Sequence, residues 1–186
     1  MDYNAFHCTV IQPLNIDLVS HLLTGKLRDY YEIPYINAAA WMISRDMVET
    51  IGGFDPVFFQ YGEDVQYSQR MKYHKLKTAV VPNAIICHDR KLYGNITVFQ
   101  KNVTYRLLLL RACDINHPLV YWDRNIINVD LNIIFSIVRN FFTFHWGRVI
   151  TTFGEIFRFY GQLPNIIRSR RENKKVGAHW LELEDK

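Results

Sequence analysis

The sequence predicts an α/β region followed by a helical region, on three observations. Up to residue 94, short β-type runs alternate with short helical patterns. Gly52-Gly53 and Pro82-Asn83 punctuate that region where elements should end. Beyond Gly94 the composition shifts and the periodicity turns helical. The expected division is therefore 1–94 and 95–186.

A short apolar run at Thr9–Ile11 precedes a weak helical pattern over Asp17–Leu27. Ile36–Ile43 is small and apolar and reads as a buried strand or extended segment. Ser44 suits the N-cap of a short helix, Arg45–Ile51, because its hydroxyl can take one of the unpaired amides of a first turn. Gly52 and Gly53 then stop it. Phe54–Gly62 is an aromatic-rich loop, and a helix over Asp64–Lys75 should carry Val65, Ser68 and Met71 on one side. Lys77–Val81 and Ala84–His88 are β-type runs around a turn. Helices are expected over Ile96–Ala112, Val129–Trp146 and Val149–Arg168.

At 186 residues and 49% hydrophobic, the chain has material for a core, which excludes global disorder. The net charge of +4 is uneven: Leu131–Lys175 holds eight Lys or Arg against Glu155 and Glu172. Cys8, Cys87 and Cys113 are odd in number and lack CxxC spacing, which points away from a zinc site or disulfide framework and toward a reducing cytoplasm. Between Leu131 and Gly147 the only charge is Arg139, but Asn132, Asn140, Thr143 and His145 make the stretch too polar to cross a membrane.

Glu63 and Asp64 lie where a loop becomes a helix. Asp64 is either an N-cap or a general base held ionised and aimed by the amides of a helix N-terminus. His88 closes an apolar run and is either packed or a metal ligand. Trp41, among alanines that include Ala39, either fills the core or offers a flat surface to a sugar ring. Phe54 anchors the loop, and Asp55 caps a turn or orients loop backbone.

The runs Ile36-Asn-Ala-Ala-Ala-Trp-Met-Ile-Ser-Arg-Asp-Met, Ile51-Gly-Gly-Phe-Asp, Phe58-Phe-Gln-Tyr-Gly-Glu-Asp-Val and Val81-Pro…His88 together resemble glycosyltransferase family 2, most closely its rhamnosyltransferase-like branch. The resemblance covers about residues 36–90. It implies the C-terminal, acceptor-side half of a GT-A (Rossmann-like) domain and inverting, metal-dependent transfer from a nucleotide sugar, in bacterial surface polysaccharide synthesis. By that resemblance Asp64 stands as catalytic base, Glu63 as its acidic neighbour and His88 as ligand of a divalent metal, Mn or Mg. Trp41, Ala39, Phe54 and Asp55 stand on the acceptor side.

The chain departs from the family at Gln66, where members usually carry an acid, and has no Asp-X-Asp before residue 36. A donor half of roughly a hundred residues is thus expected on a separate or longer chain, and this chain is expected to be inactive alone. The expected partners are a nucleotide sugar, a saccharide or lipid-linked saccharide, and a membrane surface, with no nucleic acid. The expected location is the cytoplasm or the inner face of the cell membrane. The rival expectation is a non-catalytic, membrane-peripheral or partner-binding fragment.

Overall fold

The structure is a computed structural model that describes residues 20–21, 23–33, 38, 40–58, 61–86, 102–119 and 124–181, with backbone alone over 124–130. Expectations for residues 1–19, Ala39, His88 and 96–101 fall outside the described residues. What is described is mostly helical, with one small antiparallel ribbon.

The ribbon pairs β1 (Tyr31–Glu32) with β2 (Ala79–Val80), Tyr31 opposite Val80 and Glu32 opposite Ala79. One more bond, from Ile33 N to Thr78 O at 2.9 Å, lengthens it. Beyond this ribbon, no further sheet of the GT-A half implied by the resemblance is seen among the described residues. Trp41–Ser44 carries no ladder, and Trp41 and Ile43 instead pack their side chains against the Ile51–Tyr67–Met71 core cluster. Ala84–Ile86 is irregular, with Ile85 and Ile86 exposed.

Helix α1 (Arg45–Ile51) begins as expected: Ser44 Oγ accepts from Met47 N at 3.2 Å. It ends at Gly52, whose φ of 75° a side chain resists. Helix α2 (Glu63–Tyr73) starts one residue earlier than expected, after Gly62 in the left-handed region. It stops two residues sooner, because Lys75 turns to φ 58° and Leu76 N closes back on Met71 O at 2.8 Å. Its buried face is wider than the expected stripe and includes Gln66, Tyr67 and Arg70.

Helices α3 (Val103–Cys113), α4 (Arg124–Phe142), α5 (Trp146–Gly161) and α6 (Leu163–Asn173) follow. The single helix expected over Val149–Arg168 is broken at Gln162. Pro164 is the cause: its ring excludes the carbonyl one turn back and it has no amide to bond, so it is tolerated only in the first turn of a new helix.

Helix α3 is held at both ends by side chains from other helices. Glu155 of α5 accepts from Tyr105 N at 3.0 Å at its N-terminus. Arg170 of α6 donates to Ala112 O at 2.8 Å, to Asp114 O at 2.6 Å and to His117 O at its C-terminus. An anion at the first turn and a cation at the last both match the helix dipole. Phe58, Leu109, Ala112, Cys113 and Ile166 form one apolar core cluster, and Ile51, Tyr67 and Met71 form a second.

Candidate active site at the head of helix α2

The two apolar clusters are joined by buried polar side chains. Asp55 is 1% exposed, and its Oδ2 accepts from Ser169 Oγ at 2.5 Å and from Asn173 Nδ2 at 2.6 Å. Its Oδ1 accepts from Val57 N at 3.0 Å. Arg70, fully buried, donates to Ile51 O at 2.6 Å and to Gly53 O, while Tyr67 Oη donates to Gly52 O at 3.0 Å. Three successive carbonyls of the double-glycine loop are thus held by side chains of α2. Burial lowers Arg70 to about 10, opposed by the charge of Asp55 and by Tyr67. Burial also raises Tyr67, an effect that the Arg70 charge opposes.

The double glycine has a second job. The segment after α6 returns across it: Gly53 N donates to His179 O at 2.8 Å and Gly177 N to Thr50 O at 2.9 Å. A Cβ on Gly52 would lie 1.9 Å from His179 O, and one on Gly53 2.7 Å from Trp180 O. Trp180 Nε1 completes the seat by donating to Asn173 Oδ1 at 2.8 Å.

Asp64 occupies the second position of α2, and Gly62 is the cap residue, so the N-cap expectation for Asp64 is corrected. Its half-buried carboxylate still uses backbone amides, as a side chain at a helix head should. Oδ1 accepts from Val65 N at 2.8 Å and Oδ2 from Ala38 N at a long 3.4 Å. That second contact brings Ala38 to the helix head. Trp41 then stacks on Phe54 with centroids 6.1 Å apart and meets Tyr67 at 5.6 Å. Tyr67 and Phe54 are 5.2 Å apart.

The structure therefore groups Trp41 and Phe54 around Tyr67 of α2, and ties Ala38 to Asp64 at the head of the same helix. Trp41 is half-buried and Phe54 is 44% exposed, so the aromatic group is open on one side. Asp55, one residue from Phe54, faces inward to α6. Glu63 is half-buried, and its Oε2 is enclosed with no hydrogen-bond partner. Gln66 is fully buried with both amide atoms likewise unpartnered. A carboxylate in its place would be a second buried charge one turn inside Asp64's helix, so the neutral amide suits the enclosure better.

Among the described residues no three His, Cys, Asp or Glu side chains gather as metal ligands. The described residues therefore do not by themselves form a metal cradle. Sequence reasoning missed Arg70, Ser169 and Asn173, although Ser169 and Asn173 stand four apart, the spacing that puts two small polar groups on one helix face. Compared with known families, curated proteins and solved structures, the chain gives no match.

Proposed function

We propose that this chain is the acceptor-side part of an inverting glycosyltransferase that moves a sugar from a nucleotide sugar to a saccharide, with Asp64 as general base. The observation that carries the reading is the 3.4 Å contact from Ala38 N to Asp64 Oδ2, three residues before the Trp41 that stacks on the partly open Phe54. An apolar sugar face stacks on an indole, and a carboxylate at its edge takes the proton from the attacking hydroxyl. In-line attack on the anomeric carbon forms the new C–O bond as the bond to the nucleoside diphosphate breaks, inverting that carbon.

Support also comes from the motif order over residues 36–90 and from the binding of the 51–53 carbonyls, which fixes the loop that carries Phe54. The divalent metal remains an expectation of the resemblance, and no step here passes through it.

The test is acceptor-dependent release of nucleoside diphosphate by the chain combined with a donor-side domain. Turnover that Asp64→Asn leaves intact would remove the base from this reading. Turnover by the chain alone would remove the donor-half requirement.

A further inference from the structure

Helices α4 and α5 carry apolar stripes on their exposed sides, although α5 also buries Val149. On α4, Leu131, Ile134, Phe135, Val138, Phe141 and Phe142 recur at helical spacing, and all are exposed, whereas Asn140 is buried and bonds Ser136 Oγ at 3.2 Å. On α5, Trp146, Ile150, Phe153, Phe157 and Tyr160 form an exposed stripe, whereas Glu155 is buried against α3. In a helix that buries its apolar face against its own core, these positions would be reversed. Phe157 is 82% exposed and Phe142 73%. The two stripes adjoin where Phe141 meets Trp146 at 4.7 Å, beside an apolar groove lined by Ile137, Val138, Val149 and Phe153.

Charge identifies the occupant. Among the described side chains of α4 and α5, residues 131–161, the only carboxylate is Glu155, and it accepts from the amide of Tyr105. Arg139 and Arg148 are exposed on the hairpin, as is Arg158, whose guanidinium lies 4.6 Å from the centre of the Tyr105 ring. No helix among the described residues is long and apolar enough to cross a membrane. An exposed aromatic stripe with arginines and, among its described side chains, without an exposed acid fits the headgroup boundary of an anionic bilayer, where rings enter the acyl edge and guanidiniums meet phosphates.

We infer that the α4–α5 hairpin docks on an anionic lipid bilayer, lying in its interface with Trp146, Ile150, Phe153 and Phe157 inserted. This surface is separate from the head of α2, and its test needs no catalysis.

The experiment is flotation of the full chain with vesicles of phosphatidylglycerol and phosphatidylethanolamine, against vesicles of phosphatidylcholine alone. Light scattering without lipid reads self-association. The chain should float with the anionic vesicles, less so in high salt. Phe153→Glu with Phe157→Glu should weaken binding about tenfold or more, since two rings lose their apolar burial. Arg148→Glu should weaken binding to anionic vesicles at least about fivefold and leave phosphatidylcholine unchanged. Circular dichroism checks that each variant stays folded. Should the double variant fail to fold, Phe157→Ser at the most exposed position replaces it. Equal recovery with and without vesicles would overturn the inference. So would a lipid-independent dimer that Phe157→Ser converts to monomer, because the stripe would then be a protein interface.

Discussion

The Asp55 carboxylate takes a 2.6 Å hydrogen bond from Asn173, 118 residues further along the chain. The same oxygen binds Ser169, and Arg70, donating to Asn173 Oδ1 at 3.4 Å, closes the group. A charge with so little solvent is sustained by its donors, so the group acts as a polar weld between α2 and α6.

Asp55→Ala should lower unfolding free energy by about 3 kcal/mol, the scale of removing a charge-assisted buried group and stranding its donors. Ser169→Ala removes one neutral donor of several and should cost about 1 kcal/mol. Urea denaturation measures both. Equal effects would mean that the carboxylate is not the hub.

Gly52→Ala sets a methyl where His179 O now lies and forces a left-handed backbone on an L residue. The backbone alone should cost about 1–2 kcal/mol, and the segment through Trp180 must also lift. The reporters are Trp180 fluorescence and hydrogen exchange at Gly53 and Gly177, both of which should show undocking. Unchanged exchange at those amides would refute the close approach.

Cys113, 1% exposed, has its thiol pushed up from 9.0 to about 12, chiefly by burial. The folded value is raised, so its contribution to stability is fully present below pH 9 and is lost as pH climbs toward 12. In that window the unfolded state sheds the thiol proton first, and stability should fall by up to about 1.4 kcal/mol per pH unit. Cys113→Ala should remove that part of the slope. In a chain whose only cysteine is Cys113, thiol reagents should react only after unfolding.

Asp64→Asn and Glu63→Gln separate chemistry from helix structure. Both alter the charge at the head of α2, worth about 0.3–1 kcal/mol each in stability. As the proposed general base, Asp64 should show, in the chain combined with a donor-side domain, a fall in kcat of about 10²–10⁴-fold when changed to Asn. Glu63→Gln, in a supporting role, should show much less. Parallel losses of stability and rate in both variants would point to the helix head and away from a base.

Arg170→Met keeps the aliphatic stem but leaves the carbonyls of Ala112, Asp114 and His117 without their donor. The expected loss is about 2–3 kcal/mol by denaturation. Faster amide exchange confined to the last turn of α3 would locate it.

Local chemistry made part of this legible in advance. Ser44 and Gly52 bound α1 because capping hydroxyls and left-handed glycines act within a turn of the residues they serve. The place of Asp64 at a helix head was legible from the loop-to-helix change in the sequence pattern. Asp55 was not, because its partners lie on α6, more than a hundred residues away. Among the described residues, Trp41 and Ile43 satisfy side-chain packing without a ladder, and apolar periodicity does not distinguish that from a strand. The break at Gln162 was visible in Pro164 and was overridden by the apolar pattern around it.

The return of residues 177–180 over Gly52 and Gly53 sets a timetable for synthesis. At about 5–20 residues per second, the 118 positions between Asp55 and Asn173 represent about 6–24 s of translation. Throughout that interval Asp55 lacks its donors from α6, while Arg70 can already reach the carbonyls of Ile51 and Gly53. The double-glycine loop is among the first parts of the described chain to be made and among the last to be covered.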